Sequence, residues 1–283
     1  MYPLYGRDLR QEIMRRDISA FIGVYDVFSA SIAAKYYDGI FISGFSFAAS
    51  YYGLPDIGFI AWSDIVSFVQ RVRAVLPRHH LLVDIDDGYA DIEVACHVVS
   101  LLESVGASGI IIEDQQRPRR CGHFDGKQLM DLDQFLIKLQ RVLATRRELV
   151  VIARTDATDV DEIERRAKAF EEVGADAILV EAIRDLGLIT HIKGIIDRPL
   201  MFNQIAGGKS PTWTLHELKD AGISLVNYST PCLFAAQAAI DDSLRSLKGN
   251  DGSLQGVGKG RVDVKACTAV LHENLARRDE QKE

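Results

Sequence analysis

The sequence predicts an α/β fold of the (β/α)8 barrel type. Eight short runs of apolar and β-branched residues recur along the chain, and a longer amphipathic stretch follows each run. Continuous apolar runs are typical of parallel strands that are covered on both faces. A chain of 283 residues also suits one barrel, since such a barrel commonly needs about 250 residues. The predicted strands are 21–26, 39–44, 81–86, 109–114, 149–154, 177–182, 199–203 and 223–228.

Polar residues at the carboxyl ends of these runs favour a barrel over an open doubly wound sheet, which would give a similar alternation. A barrel gathers its strand ends into one crater, so residues scattered over the sequence become neighbours. The sequence has no GxGxxG after its first strand and no GxxxxGK[ST], so dinucleotide and P-loop sites lose their main support. The strand-end residues are Asp26, Ser43, Asp84, Asp86, Glu113, Asp114, Arg154, Glu181 and Asn203.

Amphipathic stretches between the strands predict the outer helices of the barrel. VGA or AGI precedes the runs at 109, 177 and 223, where a glycine would end one helix before the next strand. We assign residues 1–248 to the barrel, 249–260 to a glycine-rich linker and 261–283 to a terminal helix that packs on a partner subunit. Apolar residues for that packing are Val262, Val264, Ala266, Leu271 and Leu275.

Composition and charge indicate an ordinary globular protein, with 47% hydrophobic and 26% charged residues. The net charge of -7 gives no general attraction to nucleic acid or to an anionic membrane surface. Glycine and proline interrupt the apolar segment 40–62, so we do not expect a membrane span. The four cysteines are widely spaced, and we expect reduced thiols. The N-terminus lacks the apolar core of a secretory signal, so we expect a cytoplasmic protein.

Two carboxylates share one face of the third predicted strand. Asp84 and Asp86 alternate with apolar residues, and alternate strand residues point the same way. Glu113, at the end of the next strand, would add a third oxygen ligand for a hard cation, directly or through water. The alternative is a set of carboxylates that cap the following helices. Three acids at one end of neighbouring strands would repel each other without a cation, which favours a metal site.

A long connection after the fourth strand, EDQQRPRRCGHFDGK, contains Cys121 among Arg119, Arg120 and His123. Positive neighbours lower the pKa of a thiol, so the pattern favours a reactive cysteine. Long loops in compact barrels are often lids or binding loops. An incidental surface thiol is the alternative.

One arginine and one polar turn offer sites for an anionic substrate. Arg154 follows the fifth strand in ARTDA, where a guanidinium can bind a carboxylate with two hydrogen bonds. An internal ion pair to Glu181 or Asp156 is an alternative that can hold at the same time. The segment 43–46, SGFS, supplies backbone N–H and hydroxyl donors.

These motifs occur together in one order and resemble the isocitrate lyase and phosphoenolpyruvate mutase superfamily over about residues 20–240. RRCGH at 119–123 is close to the KKCGH or KRCGH signature of the lyase branch, whereas the mutase and phosphonate-hydrolysing branches lack that cysteine. The remaining motifs are VYDVFSA, SGFSFAASYYGLPDIG, VDIDDGYA, ARTDA, VEA and NQIAGGKSPTWT.

The resemblance implies a magnesium-dependent carbon–carbon lyase, with manganese as a substitute metal. It would cleave a 2-hydroxy dicarboxylate by a retro-aldol reaction into a 2-oxo acid and a carboxylic acid, and Cys121 would protonate the carbanion. The implied metal residues are Asp84, Asp86 and Glu113, the last directly or in the outer shell. The implied catalytic residues are Cys121, Arg154, Glu113 and His123. The implied substrate-binding residues are Tyr25, Ser43, Gly44, Phe45, Asp56, Arg154, Glu181, Asn203 and Phe234. Similar proteins are homotetramers, dimers of dimers that exchange their terminal helices between subunits.

The branch within the superfamily depends on a few departures from its usual pattern. GFS, YGLPD and GGKSP are closer to petal death protein and dimethylmalate lyase than to 2-methylisocitrate lyase. Phe234 stands where methylisocitrate lyases carry an arginine for an additional carboxylate, so we favour a 2-alkylmalate over a methylisocitrate-like tricarboxylate. Ala206 replaces the more usual glutamate, and Phe45 and Phe47 make the crater more aromatic. Oxaloacetate hydrolysis or decarboxylation, phosphonopyruvate chemistry and an inactive binding barrel are the alternatives.

Overall fold

The computed structural model describes residues 5–15, 18–89, 91–255, 257 and 262–279. Its eight strands are β1 (Ser19–Val24), β2 (Gly39–Ile42), β3 (His80–Asp84), β4 (Gly109–Glu113), β5 (Val150–Thr155), β6 (Ala177–Val180), β7 (Leu200–Gln204) and β8 (Ile223–Tyr228). All neighbours are parallel, and β1 pairs with both β2 and β8, so the sheet closes into a barrel in sequence order. The eight predicted strands are confirmed, with ends displaced by at most two residues.

Helices cover the outside of this barrel and form its N-terminal and C-terminal additions. They are α1 (Tyr5–Arg15), α2 (Val27–Ala33), α3 (Gly44–Phe47), α4 (Trp62–Val75), α5 (Ile92–Ser104), α6 (Leu132–Thr145), α7 (Val160–Glu172), α8 (Leu186–Lys193), α9 (Leu215–Asp220), α10 (Pro231–Gly249) and α11 (Val264–Asp279). A π-helical turn, Ala48–Tyr52, continues α3.

The strands separate two apolar layers, as expected of a sheet covered on both faces. The larger layer lies between the strands and the outer helices. The smaller one fills the barrel interior with inward residues such as Phe21, Phe41, Leu82 and Met201. The interior is therefore a packed core and not a channel.

Helix α1 adds Leu9 and Ile13 to the interior layer and lies against the N-terminal end of the barrel. This helix was not predicted from the sequence. Gly6 allows the close contact, since a Cβ at this position would lie 2.0 Å from the carbonyl oxygen of Glu148. This contact leaves the C-terminal end for the connections that follow the strands.

Several outer helices begin at a side-chain cap directly after a strand or its connecting loop. Asp26 caps α2 by accepting a hydrogen bond from the backbone N–H of Ser29, so the capping interpretation holds for this strand-end acid. Ser43 caps α3 in the same way through the N–H of Ser46. These caps hold the start of α3 at the C-terminal end of β2.

The C-terminal helices contain fewer buried residues than the barrel strands do. Helix α10 runs to Gly249 and contains no buried residue. Helix α11 packs on α2 and α4 of its own chain, where the amide of Asn274 donates to the hydroxyl of Ser31 at 2.9 Å. Val262 and Val264 are 79% and 85% exposed. The three-part division, the exchange of helices between subunits and the tetramer remain predictions, and much of 256–261 and all of 280–283 lie outside the described residues.

The described helices include none with the length and apolar character needed to cross a membrane. The cytoplasmic location remains a prediction.

Candidate active site

Four carboxylates meet at the C-terminal ends of β2, β3 and β4. Asp86 and Glu113 are 2% and 1% exposed, and Asp56 is buried beside them. A Cβ built on Gly44 would lie 3.0 Å from Oδ2 of Asp84 and 3.4 Å from Oδ1 of Asp86, so both carboxylates face the start of α3. Asp86 lies beyond the strand in a left-handed conformation, with φ 52°. The convergence that the sequence predicted for Asp84 and Asp86 is therefore present, although a turn and not strand alternation produces it.

The guanidinium of Arg119 lies inside this acid cluster. Its Nε is 2.8 Å from Oε1 of Glu113 and its Nη1 is 3.1 Å from Oδ1 of Asp86. It also forms a short ion pair with Asp56. The Arg119 side chain is 1% exposed, so its charge is balanced by these acids and not by water.

Arg154 links the acid cluster to the next two strands of the barrel. It donates two hydrogen bonds to Asp156, at 3.0 and 3.1 Å. Its other contacts are Glu113 at 3.3 Å and Glu181 at 3.4 Å. The internal ion pairs considered as an alternative role for Arg154 are therefore present.

Negative charge exceeds positive charge in the described part of the crater. Six carboxylates meet three cationic side chains, Arg119, Arg154 and Lys127. Five of the carboxylates are buried, and that of Asp84 is partly exposed; the six are Asp56, Asp84, Asp86, Glu113, Asp156 and Glu181. Burial raises the pKa of Asp84, raises that of Asp86 far above its usual range, and raises that of Glu113 to about 7. Oδ1 of Asp86 and Oε2 of Glu113 face Arg119 and Arg154 as ion pairs, at 3.1 and 3.3 Å, but accept no well-aligned hydrogen bond from any described residue. An additional cation would relieve this excess.

The donor set fits a hard divalent cation. Carboxylate oxygens are the ligands that magnesium prefers, and the ion is usually held by one or two carboxylates together with water. Within the described ranges, no three His, Cys, Asp or Glu side chains form a complete metal-binding cluster. Asp84 and Asp86 would hold such an ion, and Glu113 would lie outside its direct ligands.

The connection between β4 and α6 folds over the crater. We refer to residues 116–127 as the lid. The amide of Gln115 forms two hydrogen bonds with the backbone of Arg120, at 2.8 and 2.9 Å. A Cβ on Gly122 would lie 2.3 Å from Nη2 of Arg154 and 2.4 Å from Cγ of Glu181. The lid is therefore packed directly on Arg154 and Glu181, and only glycine fits at residue 122.

His123 fixes the far side of the lid. Its Nδ1 accepts a hydrogen bond from the backbone N–H of Lys209 at 2.9 Å, so the ring proton belongs on Nε2. Nε2 lies 2.9 Å from Oε1 of Glu181. Glu181 also accepts the amide of Asn203 at 3.0 Å. His123 thus connects the lid to the polar ends of β6 and β7.

Cys121 belongs to the lid and is 7% exposed. Burial, reinforced by the negative charge of Asp56, raises the pKa of the Cys121 thiol to about 12. The expectation that basic neighbours lower this pKa is wrong, because burial outweighs the positive charge of Arg154, which does lower it. A thiol of this kind keeps its proton at neutral pH, which suits an acid better than a nucleophile.

An aromatic pair connects α3 and α10. The ring of Phe45, one residue after Gly44, meets the ring of Phe234 edge to face at a centroid distance of 6.3 Å. Phe234 belongs to the first turn of α10. Tyr25 lies elsewhere, in the wall of an apolar cavity of about 540 Å³ with Phe28 and Cys232.

Known proteins share both this fold and much of this sequence. A family model described as phosphoenolpyruvate phosphomutase matches residues 9–248. The chain belongs to the phosphoenolpyruvate mutase family. Its relatives include 2-methylisocitrate lyase of Aeropyrum pernix, 32% identical over 86% of this chain and 79% of that protein. Petal death protein of Dianthus caryophyllus is 32% identical over 80% of this chain and 73% of its own.

Solved structures of family members agree with these matches. A crystal structure of 2,3-dimethylmalate lyase has a TM-score of 0.89 and 25% identity, covering 98% of this chain and 94% of that one. Oxaloacetate acetylhydrolase in complex with 3,3-difluorooxalacetate has a TM-score of 0.89 and 27% identity, covering 99% and 97%. Phosphonopyruvate hydrolase in complex with oxalate and Mg²⁺ has a TM-score of 0.85 and 25% identity, covering 98% of each chain. Together with the lyase relatives, these matches identify a carbon–carbon lyase of the isocitrate lyase and phosphoenolpyruvate mutase superfamily.

The structure brings most of the predicted site residues of this family member into one crater. Cys121, His123, Glu181 and Asn203 line the lid side. Ser43, Gly44 and Phe45 approach the acids from α3. The structure does not place the ring of Tyr25 with them, and its role stays a prediction.

The roles of Arg119 and Lys127 were not predicted from the sequence, and Asp156 was named only as an ion-pair partner of Arg154. Arg119 was noted only as a neighbour of Cys121, yet it contacts three of the four acids. Asp156 and Lys127 form a buried ion pair at 2.8 Å. ARTDA contains Asp156, and Lys127 ends the long lid segment, but no spacing rule joins residues 29 positions apart.

Proposed function

We propose that this family member is a magnesium-dependent lyase that cleaves a 2-hydroxy dicarboxylate into a 2-oxo acid and a carboxylic acid. The observation that carries the proposal is the buried thiol of Cys121 in the lid that covers a crater with excess carboxylates. Burial raises the pKa of this thiol, which favours its protonated form. Manganese would substitute for magnesium. The relatives named as lyases support the carbon–carbon chemistry.

The residues of the crater have separate roles in the proposed reaction. When bound at Asp84 and Asp86, the metal supplies a positive charge that favours the ionised form of a substrate oxygen. Arg154 holds the substrate carboxylate through its planar guanidinium. Glu113, with its pKa raised to about 7, takes the proton of the substrate hydroxyl because its pKa lies near the working pH.

Cys121 completes the reaction after the carbon–carbon bond breaks. The electron pair of that bond remains on the departing acid as a carbanion, and the Sγ proton of Cys121 is transferred to it. Because Cys121 is buried in the closed lid, competing water is kept away from the carbanion. His123 and Gln115 hold the lid in place during this step.

Phe45 and Phe234 favour a substrate with an apolar substituent. The two rings meet edge to face, and Phe45 directly follows Gly44, whose Cα faces Asp84 and Asp86. A second distal carboxylate would meet no guanidinium at residue 234, whereas an alkyl group would bury its surface against the rings. A 2-alkylmalate is therefore our preferred substrate class. Ala206 is exposed and leaves the adjoining turn without a carboxylate.

Oxaloacetate hydrolysis is the second candidate. The match to oxaloacetate acetylhydrolase is as close in fold as the match to dimethylmalate lyase and slightly closer in sequence. Oxaloacetate has no alkyl substituent to occupy the space near the two phenylalanine rings.

Activity assays on a substrate panel test the proposal. Malate, alkylmalates, isocitrate, methylisocitrate, oxaloacetate and phosphonopyruvate would each be incubated with magnesium or with a chelator, and release of products would be measured. We expect an alkylmalate to give the highest kcat/KM, with loss of turnover in the chelator. Absence of magnesium-dependent turnover on every carbon–carbon substrate would exclude a lyase.

A pair of cysteine variants tests the acid separately. Cys121→Ala should lower kcat on the best substrate by about 100- to 10,000-fold, the usual contribution of a positioned acid. Cys96→Ala is the matched control, because Cys96 is equally buried but lies on α5. Full activity in Cys121→Ala would assign the proton to another group.

A further inference from the structure

A continuous line of polar contacts joins the carboxylate-binding arginine to the lid. Arg154 donates to Asp156 through Nε and Nη2, at 3.0 and 3.1 Å. Asp156 accepts Lys127 Nζ at 2.8 Å through the oxygen that also faces Nη2. The same Nζ donates to the carbonyl oxygen of Gly122 at 2.6 Å. Gly122 directly follows Cys121, so this line ends at the proposed proton donor.

One end of this line is fixed in the barrel. The backbone N–H of Asp156 donates to Oδ1 of Asp114 at 3.0 Å, and Oδ2 of Asp114 pairs with Arg166 at 2.9 Å. Arg166 is held in turn by the carbonyl of Met130. Asp114 and Asp156 are 0% and 3% exposed. Asp156 is therefore held in place by the barrel, whereas its partner Lys127 belongs to the lid.

The contact between Lys127 and Asp156 affects ligand binding because it changes the balance of charge around Arg154. Arg154 lies among three carboxylates, those of Glu113, Asp156 and Glu181. A substrate carboxylate would be a fourth negative group around one cation, which like-charge repulsion opposes. Lys127, whose side chain is 8% exposed, brings a second positive charge into the same buried group when the lid is closed.

We propose that Asp156 and Lys127 are positioning residues that couple closure of the lid to occupation of Arg154 by an anionic carboxylate. Closure neutralises part of the charge on Asp156 and makes Arg154 more available to the ligand. By reciprocity, a carboxylate on Arg154 stabilises the closed lid by the same factor. The identity of the ligand as a carboxylate rests on the proposed function, whereas the coupling itself does not require turnover.

Alkylation of Cys121 reports the position of the lid without any substrate turnover. The 7% exposed thiol reacts with iodoacetamide when the lid opens, and peptide mass mapping separates it from Cys96, Cys232 and Cys267. The rate would be measured on the full chain with magnesium, with and without oxalate, a small dianion. Oxalate protection is the ratio of these two rates.

Lys127→Met removes the charge and keeps most of the side-chain length. We expect the rate without oxalate to rise and oxalate protection to fall, each by about tenfold, because a charge-assisted hydrogen bond is lost. Lys209→Met is the matched control: its Nζ pairs at 2.5 Å with Asp125, whose side chain is 96% exposed, while its backbone contact with His123 is unaffected. Lys127→Arg should restore most of the protection. Thermal unfolding establishes that each variant is folded.

Three results would overturn the proposal: Lys127→Met behaving as wild type, Lys209→Met matching Lys127→Met, or oxalate giving no protection of the wild-type chain. Where turnover is measurable, Lys127→Met should raise KM more than it lowers kcat. The protein could be inactive on every substrate and still show oxalate protection that depends on Lys127. That result would support the coupling and reject only the proposed function.

Discussion

Charged side chains at the two ends of the barrel differ in how fully residues of the same chain satisfy them. At the N-terminal end, Arg73 directs its donors to the carbonyls of Leu76, His79 and Gly106. Asp176 accepts Arg10, Arg146 and the backbone N–H of Val151. At the C-terminal end, six carboxylates share three cationic side chains. At the N-terminal end, hydrogen bonds within the chain satisfy these charged groups, which favours stability. At the C-terminal end, the carboxylates outnumber the described cationic side chains, as is common at functional sites.

The largest expected effect on stability is at the N-terminal end. Arg73→Met would leave three carbonyl groups without their donor and remove the stacking of the guanidinium on Tyr5, at 3.8 Å from the ring centre. We expect the free energy of unfolding to fall by about 3–5 kcal/mol, as measured by urea denaturation. Folded Arg73→Met should keep its metal affinity.

Arg71→Met is the control, since Arg71 lies on the same helix but is exposed. Its unfolding free energy should change by less than about 0.5 kcal/mol. Equal effects of the two substitutions would remove the contrast between the ends.

A medium effect is expected at the C-terminal end, and it depends on pH. Burial raises the pKa of Glu113 from 4.5 to about 7, so the folded metal-free protein holds a proton that the unfolded chain releases. Its stabilising contribution is complete below pH 4.5 and is lost as the pH rises through 7, a change of about 3 kcal/mol. Urea unfolding in a chelator between pH 4.5 and pH 8 measures this fall.

Glu113→Gln separates this effect from those of Asp84 and Asp86, whose pKa values burial also raises. The variant should show a shallower fall in stability over the same pH range, and magnesium should flatten the wild-type curve. An unchanged slope in Glu113→Gln would show that Glu113 is not part of the excess charge.

The smallest effect is expected at a satisfied carboxylate of the N-terminal end. Burial alone would raise the pKa of Glu103, but the N–H groups of Glu148, Arg147 and Leu149 lower it. Glu103→Gln keeps one acceptor oxygen and removes the charge, so the free energy of unfolding should fall by about 1 kcal/mol. Glu93 lies on the same helix but is exposed to solvent. Glu93→Gln should therefore lower the free energy of unfolding by less. Denaturation at pH 7 would detect the difference, and a larger loss in Glu93→Gln would contradict it.

The sequence predicted the strands and the main acids because both depend on local pattern. Continuous apolar runs mark strands that are covered on both faces, and the polar residue after each run marks the crater. Asp84, Asp86 and Glu113 followed directly from these two rules.

The remaining site features depend on contacts between distant residues. The insertion of Arg119 among the acids follows from the path of the lid, which no sequence period specifies. The pKa of Cys121 was predicted in the wrong direction because charge was counted along the chain, whereas burial and Asp56 decide it. Helix α1 was missed because its apolar residues face a barrel end that exists only in the folded chain.

Gly122 limits how this active site can be redesigned. The backbone at residue 122 lies so close to Arg154 and Glu181 that the addition of one methyl group would overlap both. Libraries that vary the lid to change substrate preference should keep this glycine constant. Variation belongs at Phe45, Ala206 and Phe234, which lie outside the lid that carries Cys121, the proposed proton donor.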